Sequence, residues 1–308
     1  MIDVHAIAAH YGGEVCKGNA LIPTPGHSHR DRGTAIKPNN FAPDGVLVAC
    51  YNGTTADALA VKDMLRRDGF IASDSKLKAR SLTVAERRAI RQADLTQKRK
   101  RLAREKMAAA NAARLWNTSH PANAAHPYLL SKGLDPFGIR QSGDKLLVPM
   151  VDASFCFWNV QRICPDGFKR FLPDCRTNSL FWNHGAPNLD GRPTDGPLVI
   201  GEGFGTMAAI HMATGHEVVA AMSAHNLETV ARALRKLYPS REIVIAADDD
   251  SHMRENLGIL TALKAAHAIG GHVATPRPQV NSGELSVDFA DIPRDQVKAR
   301  IAAARQGG

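Results

Sequence analysis

Two short acidic segments carry the residue types that could perform chemistry in this sequence. Glu202 lies between two glycines, just past the apolar run at 198–200, and Asp248, Asp249 and Asp250 directly follow the apolar run at 243–247. Several carboxylates that share one site repel one another unless cations neutralise them. Oxygen ligands suit Mg²⁺ or Mn²⁺, and about two such ions can promote in-line phosphoryl transfer. The residue types therefore predict a metal site for phosphoryl transfer, formed by Glu202 and the aspartates at 248–250.

A simpler alternative is that the aspartates only cap the helix that follows them. For an aspartate triplet alone this alternative is favoured, because aspartate is a common residue at helix starts. Glu202 at the matching end of another strand shifts the balance toward a metal site.

The alternation of strands and helices from about residue 197 onward predicts the elements that position these acids. Strand-like runs lie at 198–200, 218–221, 243–247 and 273–275, with helical segments between them. Apolar strands alternating with helices predict an α/β fold, with a parallel sheet covered by helices on both faces. Because ligands bind beyond the carboxyl ends of such strands, Glu202 and the aspartates are expected at one edge of the sheet.

The chain divides into four predicted parts. Residues 1–72 contain short strands separated by Gly, Pro and Asn turns, which predicts a small amino-terminal domain. Residues 73–118 are predicted to be a basic helical linker, with a helix from about Ser81 to Trp116 that Ser81 or Thr83 caps. Residues 119–195 are predicted to be a basic α+β subdomain, and 196–308 the catalytic domain with a carboxyl-terminal helix.

Positive charge is concentrated in the linker. The chain carries a formal net charge of +9, and the stretch from Lys76 to Lys106, with twelve basic and three acidic residues, accounts for all of it. Such a stretch is expected either to bind a polyanion or to be a solvated helix that bridges two domains. If it binds DNA, the expected contacts are Lys98, Arg99, Lys100 and Arg101.

Other compositional features exclude several classes of protein. No run approaches the ~18 apolar residues of a membrane span, and the first residues do not form a signal sequence. The 5 cysteines include no Cys-x-x-Cys pair, which disfavours a disulfide framework or a zinc ribbon. The sequence therefore predicts a cytoplasmic protein without a membrane partner.

The two acidic segments together resemble the Toprim pattern, which is a Glu after one strand and an Asp-x-Asp after another. DnaG-type primases, topoisomerases and some nucleases share this pattern. The resemblance implies that Glu202, Asp248 and Asp250 are the metal-binding acids. Asp288 resembles the first residue of an Asp-Phe-Asn-Asp element of primases and would be a further metal ligand, although Ala290 replaces the Asn.

Neighbouring segments are similar to primases of plasmids and temperate phages, of the TraC-like conjugative type and the primase part of phage primase-helicases. These segments are 126–129, 147–150, 166–173 and 221–227, and the likeness covers roughly residues 120 to 291. In such enzymes the basic segment before the Toprim domain helps to hold the template and the incoming nucleotide. The residues to which the resemblance extends this role are Lys169, Arg170, Arg162 and Asn226.

The first seventy residues resemble the zinc-binding module of phage-type primases, but most of its ligands are missing. Only His27 and Cys50 stand at ligand positions, and Thr24 and Thr54 replace cysteines. Because structural zinc takes four nitrogen or sulfur ligands, we expect a metal-free scaffold with Cys50 in its core. Template recognition is the role of this module in the family, and it would fall to Arg30 and Arg32.

The resemblance as a whole implies a DNA primase. It would join ribonucleoside triphosphates into short RNA primers on single-stranded DNA, for a plasmid, a phage or another mobile element. No Walker A sequence is present, so a separate helicase partner is expected. Two alternatives stay open: a Toprim-type metal-dependent DNA nuclease, and a non-catalytic single-stranded DNA-binding accessory protein whose acids only cap helices.

Overall fold

The computed structural model describes residues 2–39, 42, 44–51, 55–72, 83–185, 196–250, 256–276 and 287–306. The chain divides into two compact units, Met1–Thr96 and Gln97–Gly308. This boundary falls within a long helix, and the predicted four-part division stays a prediction.

The first unit contains one antiparallel sheet. Helix α1 (Val4–His10) begins at Asp3, whose carboxylate accepts the backbone N–H groups of His5 and Ala6. The strands follow in the order in which they pair: β1 (Glu14–Cys16), β2 (Asn19–Ile22), β3 (Thr34–Pro38) and β4 (Val46–Cys50). Helix α2 (Thr55–Arg67) closes the unit. Its core contains Ile7, Ile22, Ile36, Val46, Val61 and Leu65.

The predicted basic helix is α3 (Val84–Thr118), which continues across the boundary between the units. Thr83 and Glu86 cap it reciprocally: Glu86 N–H donates to Thr83 Oγ1 at 3.2 Å, and Thr83 N–H donates to Glu86 Oε2 at 2.8 Å. Of the two predicted caps, Thr83 is therefore confirmed, and Ser81 lies outside the described residues. Most of α3 is exposed.

The second unit contains an antiparallel sheet, whose strands pair in the order in which they occur in the sequence. These are β5 (His120–Pro121), β6 (Arg140–Ser142), β7 (Lys145–Val151), β8 (Phe157–Ile163) and β9 (Lys169–Phe171), with helix α4 (Pro127–Lys132) between β5 and β6. A turn at residues 165–167 joins β8 to β9, where Gly167 takes a φ of 86° that favours glycine.

A second sheet in this unit carries the acids. Its strands are β10 (Trp182–His184), β11 (Leu198–Gly201), β12 (Glu217–Ala220), β13 (Ile243–Ala246) and β14 (His272–Ala274), in the order β10-β12-β11-β13-β14. Strands β11 to β14 are parallel to one another, and β10 joins the edge antiparallel to β12. The helices are α5 (Phe204–Thr214), α6 (Ala224–Leu237), α7 (Leu257–Ile269) and α8 (Arg294–Gln306).

Alternation along the strands explains why both faces of this sheet are covered. Val199 and Val244 pack into one core with residues of α5 and α8, whereas Ile200 and Ile245 pack into another with residues of α6 and α7. The predicted α/β fold, with a parallel sheet between helices, is therefore confirmed. Within the described residues, no helix has the length and apolar character to cross a membrane.

Candidate active site

Parallel pairing of β11 and β13 places the two acidic segments at one edge of the sheet. Ile200 pairs with Ile245, so Glu202 and Asp248 follow neighbouring strand ends. The turn after β13 also forms an antiparallel bridge, in which Asp249 N–H donates to the Val287 carbonyl at 2.9 Å and Val287 N–H donates back at 3.0 Å. This bridge brings Asp288, which is distant in sequence, to the same edge.

These carboxylates act on one another electrostatically. Burial raises the pKa of Asp248 to about 7, and the charges of Glu202, Asp288 and Asp250 add to this effect. Burial likewise raises the pKa of Glu202, and Asp250 contributes to the increase. The ionised forms of the buried acids are therefore unfavourable without a cation nearby.

The donor chemistry at this edge fits a divalent metal ion. Its carboxylates are hard oxygen ligands, and Asp248 is a buried acid whose ionisation a nearby cation would favour. Within the described residues, no three His, Cys, Asp or Glu side chains already lie close enough to hold one ion. Binding an ion would therefore draw the carboxylates closer together than they lie here.

Local contacts fix the two strand-end acids. The Thr206 hydroxyl lies 3.5 Å from Asp248 Oδ1, and the backbone N–H of Ala224, at the start of α6, donates to the Glu202 carboxylate. A Cβ atom on Gly258 would lie 2.2 Å from the Asp248 carbonyl oxygen, so only glycine permits this close approach of α7.

The cap of α7 is Asn256 rather than the aspartate triplet. Asn256 Oδ1 accepts the N–H groups of Ile259 at 3.3 Å and Asp250 at 3.0 Å. Its amide nitrogen donates to Asp249 Oδ1 at 2.7 Å. The alternative in which the aspartates themselves cap this helix is therefore wrong for α7.

The basic residues predicted beside the acids lie on β8 and β9. The charge of Lys169 lowers the pKa values of Glu202 and Asp248. The Nζ of Lys169 lies 5.8 Å from the centre of the Tyr128 ring. The Arg170 guanidinium instead lies 5.4 Å from the ring centre of Phe168, which is 55% exposed. Arg162 on β8 lies opposite Arg170 on β9 in the strand register. The Nε of Arg162 is buried without a hydrogen-bond partner in the described part of the chain. Of the basic residues predicted on β8 and β9, Lys169 is therefore the one that acts on Glu202 and Asp248.

The side chain of Asn226 forms buried hydrogen bonds that the sequence did not indicate. Its Oδ1 accepts the N–H of Ser179 at 2.8 Å, and its Nδ2 donates to the carbonyls of Leu180 at 2.7 Å and Ala221 at 2.8 Å. The buried amide thus ties the segment before β10 to the start of α6. Its expected contact with nucleotide or template stays a prediction, because these hydrogen bonds already use both ends of the amide.

The residues predicted to contact DNA lie on exposed surfaces of their own elements. On α3 these are Lys98, Arg99, Lys100 and Arg101, of which Arg101 forms an ion pair with Glu105 at 2.7 Å. In the first unit, Arg30 is exposed, and the Arg32 guanidinium donates to the carbonyls of His29 and Asp31. Arg32 therefore also stabilises its own loop.

The region expected to have lost zinc contains a buried cluster of neutral polar groups. The Thr34 and Thr24 hydroxyls are 3.1 Å apart, and Thr34 Oγ1 lies 3.3 Å from Cys50 Sγ. His27 pairs with Asp31 at 3.9 Å, and Thr54 lies outside the described residues. The prediction that this unit binds no zinc stays a prediction.

Sequence reasoning missed two residues of α4 that face the site. Tyr128 is buried against Gly205, and burial together with the charges of Asp288 and Asp291 raises its pKa well above the ordinary range. Lys132 lies 3.4 Å from Asp288 Oδ2 and also pairs with Asp291. Tyr128 belongs to the segment 126–129 that the sequence comparison singled out, but nothing in the sequence indicates these partners.

Comparison with known families defines the class of the acidic domain. Residues 197–299 match the family model of the Toprim domain. The matched region includes both strand-end acids, the aspartate triplet and Asp288. The chain therefore contains a Toprim domain, as the sequence predicted.

Two similar proteins are Escherichia coli proteins, each named DNA primase TraC. The chain is 34% identical to one over 193 residues, which cover 60% of this chain and 13% of the relative. It is 37% identical to the other over 163 residues, covering 51% of this chain and 15% of the relative. The predicted resemblance to TraC-type primases is thus confirmed, and the chain spans less than a sixth of the length of these relatives.

Two solved structures to which the chain is similar are structures of primase domains. The zinc-binding and RNA polymerase domains of the Aquifex aeolicus primase share 13% identity, with a TM-score of 0.45 over 98% of this chain and 83% of that one. A DnaG catalytic domain bound to single-stranded DNA shares 11% identity, with a TM-score of 0.46 over 66% of this chain and 80% of that one.

Proposed function

We propose that this chain is the catalytic part of a DNA primase that makes short RNA primers on single-stranded DNA for a plasmid, phage or other mobile element. The observation that carries the proposal is the meeting of acids from two strand ends beside Lys169. The reaction joins a primer hydroxyl to a nucleoside triphosphate, so it needs acids that bind divalent ions and a basic group near the phosphates. The similarity to proteins named DNA primase TraC supports this choice among Toprim enzymes.

In this proposal Glu202, Asp248 and Asp250 hold the divalent ions and are the catalytic acids. When bound, about two Mg²⁺ or Mn²⁺ ions would polarise the attacking 3′ hydroxyl and stabilise the leaving pyrophosphate. The Ala224 N–H orients Glu202, and the Thr206 hydroxyl lies beside Asp248. Both acids are thus held at the edge where the triphosphate has to bind.

Lys169 and the more distant basic residues supply positive charge for the nucleotide and the template. Lys169 is placed to neutralise triphosphate oxygens, while Arg170 and Arg162 on neighbouring strands would contact template backbone. The exposed basic side chains of α3 would make further contacts with single-stranded DNA, and so would Arg30 and Arg32. Since these contacts are with phosphates, binding should weaken steeply as salt increases. The unwinding activity would come from a separate helicase.

A primer-synthesis assay tests this function. The full chain is incubated with single-stranded circular DNA and labelled ribonucleoside triphosphates, with Mg²⁺, Mn²⁺ or EDTA. We expect metal-dependent primers, and a loss of at least about 10³-fold in the double variant Asp248→Asn/Asp250→Asn. A matched control is Asp63→Asn/Glu14→Gln, which neutralises two exposed acids of the first unit.

Two outcomes would contradict the proposal. Primer synthesis that persists in the Asp248→Asn/Asp250→Asn variant would exclude these acids as catalysts. Metal-dependent cutting of labelled duplex DNA without primer synthesis would instead favour the nuclease alternative, because it uses the same acids for a different reaction.

A further inference from the structure

We propose that Lys132 holds Asp288 outside the metal-binding group, so that Asp288 anchors this lysine instead of serving as a metal ligand. The inference rests on the metal site of the proposed function. It assigns Lys132 as a positioning residue, and it differs from the ligand role that the sequence resemblance implies for Asp288.

Both carboxylate oxygens of Asp288 already have partners. Oδ1 accepts the backbone N–H of Ala290 at 2.6 Å, and Oδ2 lies 3.4 Å from Lys132 Nζ. A metal ion bound to Asp288 would have to share a carboxylate oxygen with one of these donors. Sharing with Lys132 would place the ion beside a positive charge, which opposes binding.

Lys132 is itself held by a second acid. Its ammonium group also donates to Asp291 Oδ1, and Asp291 Oδ2 accepts the N–H of Asp288 at 3.1 Å. Burial opposes the charged form of Lys132, but Asp291 and Asp288 outweigh it and raise the pKa of this lysine. Lys132, Asp288 and Asp291 therefore form a network of ion pairs and hydrogen bonds. This network links the turn at 288–291 to the last turn of α4.

Asp248 has no comparable ion pair. The Thr206 hydroxyl lies 3.5 Å from its Oδ1, and no lysine or arginine in the described part of the chain forms an ion pair with it. The two acids thus differ in their partners: Lys132 already balances Asp288, whereas Asp248 forms no ion pair in the described part of the chain. A divalent ion would gain more by binding Asp248 than by competing with Lys132 for Asp288.

The charge of Asp288 still reaches the site, because it contributes to the raised pKa of Asp248. Lys132 limits this repulsion while it remains paired. Without Lys132, the carboxylates of Asp288 and Asp291 would add uncompensated negative charge beside the acids, and this charge would attract divalent cations.

Mn²⁺ binding to the full chain without nucleotide or DNA tests this inference, with free Mn²⁺ measured by electron paramagnetic resonance. We expect Asp248→Asn to weaken binding by about tenfold or more. Asp288→Asn should change the affinity by less than about threefold, because it removes a charge that Lys132 already balances and no metal ligand. Lys132→Met should tighten binding by about two- to fivefold at low salt.

Two variants control for other causes. Lys132→Arg keeps the positive charge and should bind Mn²⁺ as the wild type does. Lys264→Met removes a lysine that pairs with Glu228 at 3.1 Å between α6 and α7, and it should leave the affinity unchanged. Circular dichroism of each variant checks folding, and Asp288→Asn still tests the idea if Lys132→Met does not fold.

The outcomes separate this inference from the proposed function. If Asp288→Asn weakens Mn²⁺ binding as much as Asp248→Asn does, Asp288 is a ligand and the inference is overturned. Wild-type affinity in Lys132→Met would overturn it as well. If instead Asp248→Asn leaves binding unchanged, the metal site of the proposed function is the part that fails.

Discussion

The acids at the edge of the parallel sheet and the threonines of the first unit are both polar clusters, but only the cluster of acids brings several like charges together. Thr24 and Thr34 are 1% and 0% exposed, and their hydroxyls and the Cys50 thiol lie within hydrogen-bonding distance of one another. Asp248 is half-buried, and its neighbours Glu202, Asp288 and Asp250 carry like charge, whose effect on its pKa Lys169 offsets only in part.

The difference shows which kind of buried cluster requires a ligand. Neutral hydroxyls can satisfy one another, so a cluster such as Thr24, Thr34 and Cys50 is stable by itself. Carboxylates only accept hydrogen bonds when ionised, and several together need a cation or a proton. The charge of a buried cluster, rather than its burial, therefore points to the place where a metal ion would bind.

The largest expected effect is a pH-dependent loss of stability that is specific to the acids. Asp248 has a pKa of about 7 in the folded chain against an ordinary value of 3.8, so its stabilising effect is complete below pH 3.8 and is lost as the pH rises through 7. Without metal, the free energy of unfolding should fall between pH 5 and pH 8 by on the order of 3 kcal/mol more in the wild type than in Asp248→Asn. Urea unfolding in EDTA measures this difference.

Saturating Mg²⁺ should remove most of this pH dependence, because a bound cation favours the ionised carboxylate. The raised pKa of Glu202 acts in the same direction and should persist in Asp248→Asn as a smaller slope. Equal pH profiles for the wild type and Asp248→Asn in EDTA would show that the acids are not coupled as described.

Much of the acidic edge could be predicted from the sequence because parallel strands end together. Apolar runs before Glu202 and Asp248 indicated two strands of one parallel sheet, and the register of Ile200 with Ile245 shows that these strands are neighbours whose ends coincide. The polar helix α3 was likewise predicted from a long stretch without Pro or Gly, and its Thr83 cap follows a known spacing with Glu86.

Contacts between distant segments could not be predicted in this way. The strand Trp182–His184 lies in the segment assigned to the α+β subdomain, but it pairs with β12 of the second sheet. A strand of three residues has too little periodicity to indicate its partner. The anchoring of Lys132 by Asp288 joins positions far apart in the chain, and the hydrogen bonds of Asn226 depend on where the backbone of residues 179–180 lies.

A smaller effect is expected from breaking the neutral cluster. Thr34→Val keeps the shape of the side chain but removes the hydroxyl beside Thr24 and Cys50, which leaves the buried Thr24 hydroxyl without this partner. We expect a loss of about 1–2 kcal/mol in the free energy of unfolding, independent of pH between 5 and 8. Urea unfolding at both pH values measures the loss.

The double variant Thr24→Val/Thr34→Val is the matched control for this prediction. Removing both hydroxyls leaves neither one unsatisfied, so the double variant should be closer to wild-type stability than Thr34→Val is. Losses that simply add in the double variant would contradict the view that the two hydroxyls satisfy each other. If the loss in the free energy of unfolding depended on pH, the threonine cluster would not differ from the acids in its response to pH.

The smallest expected effect comes from Lys169, the basic residue of β9 that acts on Glu202 and Asp248. Lys169 lowers the pKa of Asp248, so Lys169→Met should raise the pH at which the Asp248-dependent stability is lost, by roughly 0.3 pH units at low salt. The shift should vanish at 1 M salt, because Lys169 is exposed and its charge is screened. Arg170→Met is the matched control: it removes a neighbouring charge on β9 whose guanidinium lies over Phe168, so it should leave the midpoint unchanged. A midpoint that moves equally in both variants would mean that the acids respond to the total charge of β9, and the specific place of Lys169 beside them would be wrong.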